Sequence, residues 1–183
     1  SNGFAYIVEV NRDQGNLAAR VASERIIRAS PEFAVAQDGS AVYVGSGFSP
    51  NSLYKLDATM SEMPIVLEDK HGEVSGTSHI TLNRDSTLIY LASGQVLSTA
   101  TFNQVAKFNS GYSWLSQDER SLYIADGELD AVGIYDAETT KKVGRKAFGC
   151  EVSSIQALQE IPGAGIAIVG DALVCFTQVI PFD

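Results

Sequence analysis

The sequence predicts an all-β fold, a β-propeller of four-stranded antiparallel blades with about four blade-equivalents. Short runs rich in Val, Ile and Tyr lie between clusters of Gly, Asp and Ser, a pattern that is typical of strands and turns. An Asp stands five residues before a Tyr in three similar segments, Asp38–Ser46, Asp85–Ser93 and Asp118–Asp126. These tyrosines and Ala167 of a weaker fourth copy, Ile161–Gly170, are separated by 47, 33 and 44 residues. Four-stranded units that repeat at about this spacing are typical of propeller blades.

Composition and charge exclude several classes of protein. The 183 residues include 13 Lys or Arg against 22 Asp or Glu, which gives a net charge of −9. Such a chain lacks the counterion release that drives binding to nucleic acids or anionic membranes, so neither partner is predicted. The longest apolar stretch, Ala164–Phe176, contains Gly170 and Asp171 and is far too short to cross a bilayer.

One period of the repeat holds four strands, which we name A to D in chain order. Residues 1–30 supply only C and D of a partial blade, within Ile7–Asn11 and Leu17–Val21. Leu17–Ala29 has some helical spacing, but we interpret it as a D strand followed by a connection. Full blades are expected at about 31–75, 76–110 and 111–150 and a last blade at 151–183, within a single propeller domain of residues 1–183.

The strands within these blades follow from short apolar runs. A strands are expected at Phe33–Ala36, His79–Leu82, Tyr112–Leu115 and Ser154–Leu158, each followed by a B strand that carries the repeated Tyr or Ala167. C strands are expected at Leu53–Asp57, Val132–Asp136 and Leu173–Val179, with a degenerate copy inside Val96–Phe108. The B strands are almost continuously apolar, because a central strand of a stacked sheet is covered on both faces.

The strand count leaves two arrangements open. In the first, the N-terminal C and D strands complete the last A and B strands, which closes a small four-bladed ring with one strand left over. In the second, the chain forms an arc of a larger propeller of about six to eight blades. Closure would remove the exposed sheet edges, whereas an arc would leave them available to a partner.

The repeated segments resemble the YVTN-type and lactonase-like propellers of bacteria. The resemblance rests on Pro31–Val44 followed by Leu53–Asp57, and on Asp118–Ile124 followed by Val132–Thr139. It implies a propeller fold and a family that includes sugar-lactone hydrolases, amine dehydrogenase heavy subunits and surface or periplasmic proteins. No catalytic residue of that family has a matching motif in this sequence.

Motifs for catalysis or metal binding are weak throughout the sequence. No G-x-S-x-G nucleophile elbow is present, and we interpret His71 and His79 as loop or strand-end residues. The acidic segment Asp126–Asp130 has too few carboxylates for a typical calcium site, so we interpret it as a solvated loop. Lys141, Lys142, Arg145 and Lys146 are expected on an outer D strand, where charge opposes edge-to-edge aggregation. We therefore predict no catalytic residue, no metal site and no cofactor.

A ligand face is expected where the B–C loops and the D–A connections meet at one end of the central channel, since function is often carried by loops on a rigid scaffold. This face would carry six candidates: Phe48, Asn51, His71, Glu73, Glu128 and Asp130. It predicts a non-enzymatic binding or scaffold module with a protein or small-molecule partner. The alternatives are a lactonase-like hydrolase with its site at the channel mouth, and a subunit or fragment that packs against a partner chain completing the ring.

The two cysteines leave the cellular compartment open. Cys150 and Cys175 are 25 residues apart, a spacing that permits one bridge. Buried free thiols are the equal alternative, and we expect folding not to require a bridge. The family resemblance favours a periplasmic or extracellular location.

Overall fold

The chain forms antiparallel sheets in a four-blade propeller arrangement, which confirms the predicted fold class. The structure is a computed structural model that describes residues 6–11, 16–22, 26, 31–46, 51–69, 72–125, 131–150, 155, 157–161, 165–170 and 174–177. No helix occurs in these ranges, and so no helical segment of them is long and apolar enough to cross a membrane.

Five sheets follow one another along the chain. The first pairs β1 (Tyr6–Asn11) with β2 (Asn16–Val21). Blade 1 consists of β3 (Pro31–Val35), β4 (Ala41–Ser46), β5 (Ser52–Asp57) and β6 (Ile65–Glu68). Blade 2 consists of β7 (Ile80–Leu82), β8 (Leu88–Leu91), β9 (Gln95–Ser98) and β10 (Gln104–Lys107). Blade 3 consists of β11 (Tyr112–Leu115), β12 (Ser121–Ala125), β13 (Ala131–Asp136) and β14 (Lys142–Ala147), and blade 4 of β15 (Ala157–Ile161), β16 (Gly165–Val169) and β17 (Val174–Thr177).

The A strands of neighbouring blades contact one another and therefore surround the centre of the arrangement. β3 contacts β7, β7 contacts β11, and β11 contacts β15. Within each blade the strands pair in simple sequence order, from this inner A strand outwards. The basic residues predicted on an outer strand lie on or beside β14, the last strand of blade 3.

The turns between strands repeat the same chemistry, which explains why an Asp recurs there. Asp38, Asp85 and Asp118 accept a hydrogen bond from the backbone N–H two residues further on, at 2.9, 3.1 and 3.1 Å. In the C–D turns Asp57 and Asp136 accept similar bonds. These bonds lower the pKa of all five carboxyl groups, since they favour the charged form. The largest contribution is a backbone N–H for Asp38 and Asp136 and a hydroxyl group for the other three.

The repeated tyrosines lie in equivalent core positions, as predicted. Tyr43, Tyr90 and Tyr123 are buried, and each side chain faces the blade that follows its own. Their neighbours one residue away along the B strand face the preceding blade. Alternation along the strand thus buries both faces of every B strand between two blades.

Four clusters of buried side chains pack against the faces of the blades. Three of them fill the interfaces between blades 1 and 2, 2 and 3, and 3 and 4. The fourth covers the face of blade 1 that is directed away from blade 2. There Ala22 and Ile26, from the segment after β2, pack on Val42 and Val44. The segment that follows the two-stranded sheet therefore covers this face of blade 1.

The sequence interpretation placed the A strand of blade 4 too early. Its A strand is Ala157–Ile161 rather than Ser154–Leu158. Gln159 pairs with Ala167, eight residues away, whereas the corresponding pairs in the other blades are nine residues apart. The A–B connection of blade 4 is one residue shorter, because this blade has Pro162 and Gly163 in place of the Asp-containing turn.

The cysteines are joined rather than free, which corrects the expectation of open thiols as an equal alternative. Cys150, which follows β14, forms a disulfide with Cys175 of β17, and their Cα atoms are 6.0 Å apart. The bridge fastens the end of blade 3 to the C strand of blade 4. The expectation that folding does not require this bridge stays a prediction.

Candidate functional site

Only two of the six predicted ligand-face residues lie in the described part of the chain. Asn51 is half-buried directly before β5, and Glu73 is exposed in the connection from β6 to β7. The other four, Phe48, His71, Glu128 and Asp130, lie outside the described residues. The predicted ligand face therefore remains a prediction.

The Glu73 connection is held by a buried amide. The Gln95 side chain donates a hydrogen bond to the Glu73 carbonyl oxygen at 2.9 Å and another to Gln104 Oε1 at 3.1 Å. Its own Oε1 accepts bonds from the N–H and the hydroxyl of Ser75, at 2.9 and 3.1 Å. A fully bonded amide fixes the loop backbone, because moving the loop away from it would leave buried polar atoms unpaired.

A cluster of polar and aromatic side chains lies at the same end of the channel, where the A strands begin. His79 stands directly before β7, and its Nε2 is 2.9 Å from the Ser113 carbonyl oxygen of β11. A carbonyl oxygen only accepts, so His79 is the donor of this bond, through Nε2–H. The imidazole is 5.0 Å from the Tyr112 ring, centre to centre, and its Nδ1 is 4.0 Å from Glu32 Oε1.

This cluster joins three blades. Glu32 lies on β3, His79 precedes β7, and Tyr112 begins β11. The His79 side chain is 16% exposed and that of Glu32 is 40% exposed, so the imidazole is enclosed while the carboxylate reaches solvent. The arrangement presents an accepting carboxylate, an imidazole held in one orientation and an aromatic ring at the channel mouth.

The three residues occupy one repeat position. Glu32 pairs with Gly45 and Tyr112 with Ala125, each two residues beyond a repeated Tyr, and His79 stands at the corresponding place before Ile80. In blade 4 the corresponding residue is Ala157. The core position of the B strand carries Tyr in three of the four blades, whereas this position carries four different side chains. The end of the channel therefore presents a different side chain from each blade, although the blades themselves are nearly regular repeats.

At the opposite end of the channel, hydrogen bonds join each blade to the next. The Gln37 N–H donates to Ser86 Oγ at 3.0 Å, and the Gln117 N–H donates to Glu160 Oε2 at 2.8 Å. Arg84 continues the series, since its backbone N–H and its guanidinium donate to the A–B turn of blade 3. These bonds connect the A–B turn of one blade to the A–B turn or the A strand of the next, and so fix the blades relative to each other.

Sequence reasoning treated His79 as a strand-end residue and did not single out Glu32 or Tyr112. The signal was nevertheless present, because all three stand six residues before a turn Asp. In the described residues no group of three or more His, Cys, Asp or Glu side chains is placed to hold a metal ion. The acidic segment Asp126–Asp130 lies outside those residues.

Comparisons with known proteins show the fold and no family. No family model matches the chain, and no curated protein matches it either. Among solved structures it is similar to a hydrazine synthase chain of Kuenenia stuttgartiensis, with 19% identity, a TM-score of 0.64, and coverage of 89% of this chain and 49% of that one. It is similar to the β-propeller domain of Cps50 (Swd1) from Myceliophteria thermophila, with 13% identity, a TM-score of 0.68, and coverage of 96% and 62%. A Bacteroides caccae protein of unknown function gives 14% identity, a TM-score of 0.51, and coverage of 91% and 79%.

These neighbours are similar to the chain as β-propellers, and at such identities they show the fold alone. The chain spans about half of the hydrazine synthase chain and 62% of the Cps50 chain. The specific resemblance to YVTN-type propellers stays a prediction.

Proposed function

We propose that the chain is a non-enzymatic binding or scaffold module that takes a polar ligand, a small molecule or a protein loop, at the channel mouth around His79. The observation that carries this proposal is the contrast within one repeat. The core position is Tyr in three blades, while the mouth position is Glu32, His79 and Tyr112. A binding site needs a few polar groups placed differently on a rigid support, and this arrangement supplies them.

The chemistry of the mouth indicates which ligands fit. The partly exposed Glu32 carboxylate accepts hydrogen bonds and attracts positive charge, and the Tyr112 ring offers a flat apolar surface next to the His79 imidazole. A ligand with an ammonium or guanidinium group attached to an apolar portion matches both. The Cys150–Cys175 disulfide supports placing the module in an oxidising compartment, such as the periplasm or the extracellular space.

A thermal-shift screen with amines, amino acids, sugars and lactones tests the proposal. A ligand at about 100 times its Kd stabilises a folded protein by about 2.7 kcal/mol, which gives a measurable rise in Tm. Glu32→Gln should abolish the shift caused by a cationic ligand. Glu62→Gln, an exposed carboxylate in the C–D turn of blade 1, should leave it intact.

Two outcomes would contradict the proposal. A ligand whose shift survives both Glu32→Gln and His79→Asn would bind elsewhere. Turnover of a lactone by the wild-type chain, with loss of turnover in His79→Asn, would instead favour the lactonase-like alternative.

A further inference from the structure

The outermost strand of blade 3 carries a concentration of positive charge. Four cations lie within six consecutive residues: Lys141, Lys142, Arg145 and Lys146. Residues 139–150 contain no Asp or Glu, although the chain as a whole has 22 acidic residues against 13 Lys or Arg. β14 is therefore a positive strip on a protein whose net charge is −9.

β14 is also accessible from solvent along its length. In the part of the chain that the structure describes, it pairs with β13 alone and is the last strand of its sheet. Four of its six residues are exposed and the other two are half-buried, whereas five of the six residues of β13 are buried. The exposed residues are Lys142, Val143, Arg145 and Ala147. Such an edge is able to pair with a further strand.

Protection against aggregation does not account for this charge. Charged side chains on an edge strand do oppose edge-to-edge pairing. The last strands of blades 1 and 2, β6 and β10, are edges of the same kind, and each exposes a valine as β14 does. Each of them has a single charged residue, Glu68 on β6 and Lys107 on β10. The same protection would require similar charge on all three edges, so the cations of β14 indicate a different role.

The cations are distributed over both faces of the strand. Arg145 pairs with Gly133 of β13, and the next residue, Lys146, points to the opposite face. Lys142 pairs with Tyr135, and its Nζ is 5.7 Å from the centre of the Tyr135 ring. A Cβ at Gly133 would lie 3.0 Å from Lys142 Cε, so the glycine leaves room for this side chain. A strand added to the edge would thus meet positive charge on both of its faces.

We propose that the outer edge of β14 binds an acidic polypeptide segment in extended conformation, which adds to blade 3 as a fifth strand. In strand addition the main-chain hydrogen bonds supply affinity and the side chains supply specificity. Opposite charges on neighbouring strands are favourable, so carboxylates on both faces of the added segment match the cations of β14. This edge lies at the periphery of blade 3, and the inference does not depend on the binding proposed at the channel mouth.

Two other occupants fit the edge less well. Pairing of β14 with the same strand of a second copy would place like charges opposite each other, which is unfavourable. A nucleic acid would meet four cations on a chain whose net charge is −9, and the small number of released counterions gives little affinity. Its backbone also cannot continue the hydrogen-bond ladder of a sheet, whereas an acidic peptide meets neither obstacle.

The probe is a synthetic peptide with blocked ends and the sequence EEVEEVEE. Binding by calorimetry at low ionic strength should be saturable, and hydrogen exchange should slow in the amides of residues 142–147. The peptide QQVQQVQQ lacks the charge, and EEPEEPEE keeps the charge but cannot form a regular ladder, because proline has no N–H. Each of these two peptides should bind at least about tenfold more weakly, which separates charge attraction from strand addition.

Matched variants of the protein test the edge itself. Lys141→Gln combined with Lys146→Gln should weaken binding of EEVEEVEE by about fivefold or more. Lys107→Gln combined with Arg120→Gln removes the same charge from exposed residues of blades 2 and 3 and should weaken it by less than about twofold. Lys142 is retained because it contacts the Tyr135 ring. The hydrogen-exchange measurement on the wild-type chain tests the location of the site without any substitution.

Several results would overturn the inference. Absence of saturable binding, equal binding of EEPEEPEE, or protection of amides outside residues 142–147 would each exclude strand addition at this edge. Tighter binding of an eight-nucleotide oligothymidylate at the same amides would assign the edge to nucleic acid. A concentration-dependent dimer that Lys141→Gln with Lys146→Gln abolishes would assign it to a second copy. The same double variant should not alter the thermal shift of a ligand at the channel mouth, so failure of one proposal is distinguishable from failure of the other.

Discussion

Replacement of each repeated tyrosine by Ala tests the register of the repeat directly. Tyr43, Tyr90 and Tyr123 are 2%, 5% and 6% exposed. A buried aromatic side chain removes about 150–250 Å² from water, which at about 25 cal/mol per Å² corresponds to about 4–6 kcal/mol. Alanine keeps only the Cβ of that surface, and aromatic deletions in cores cost about 3–5 kcal/mol. We expect each variant to lose about 3 kcal/mol or more of the free energy of unfolding.

Two of the three variants should also differ in a predictable direction. The Tyr43 ring is 6.4 Å from the Phe102 ring, centre to centre, and its centre is 5.7 Å from Lys55 Nζ. Such aromatic and cation–π contacts contribute about 0.5–1.5 kcal/mol each beyond area burial. Tyr43→Ala is therefore expected to be at least as costly as Tyr123→Ala.

Urea unfolding followed by circular dichroism and by the fluorescence of Trp114, which pairs with Tyr123, measures these losses. Val105→Ala, at a residue that is 57% exposed, is the control and should change stability by less than about 0.5 kcal/mol. A change of less than about 0.5 kcal/mol in all three tyrosine variants would refute the assigned register and with it the blade boundaries.

Four further predictions follow from other features. Gly94 and Gly39 both have positive φ, so replacement by Ala costs about 1–2 kcal/mol of backbone strain at either position. A Cβ at Gly94 would also lie 2.2 Å from a backbone carbonyl oxygen, whereas a Cβ at Gly39 has open space, so Gly94→Ala should lose more stability. Equal losses on urea unfolding would contradict this. Reduction of the Cys150–Cys175 bridge, across 25 residues, should cost about 3 kcal/mol yet leave the chain folded, and loss of the near-ultraviolet circular dichroism signal at 25 °C would refute it. The lowered pKa of the five turn aspartates means that stability is complete above their unfolded value of 3.8 and is lost as the pH falls through the lower folded values; a urea midpoint that stays constant in this range would disprove the role of the turns. Burial raises the pKa of Tyr123 from 10.0 to about 12, so its phenolate absorbance should appear only above the range of an ordinary Tyr, and stability should fall as the pH rises from 10.0 towards 12.

The blade pattern could be predicted because its determinants are local. An Asp turn is specified by the carboxylate and the next two or three residues, and a B strand by a short apolar run. Both signals survive in blades 1 to 3, where the predicted strands differ from the observed ones by at most two residues at an end. In blade 4 the Asp is missing, and there the A strand was placed too early by three residues.

The mouth cluster and the disulfide depend on contacts between blades, which no local pattern specifies. His79 bonds to Ser113, 34 residues away, only because β7 and β11 lie side by side. Cys150 and Cys175 meet because β17 adds to blade 4 as a third strand beside the end of blade 3. The period of the repeat predicts the number of strands, but it does not predict which strands of different blades lie side by side.

The exposure of inner positions bears on the two arrangements that the strand count left open. Closure of a small ring through shared strands would require β1 to pair with β16, but β17 occupies that edge with Val174 opposite Val169. Val174 is 60% exposed, whereas Leu53 and Val132, at the corresponding places of blades 1 and 3, are fully buried. Phe33 of blade 1 and Val174 of blade 4 are thus exposed at positions where the equivalent side chains of other blades are buried. Contact of these apolar side chains with water is unfavourable, and a neighbouring strand pair would remove them from water.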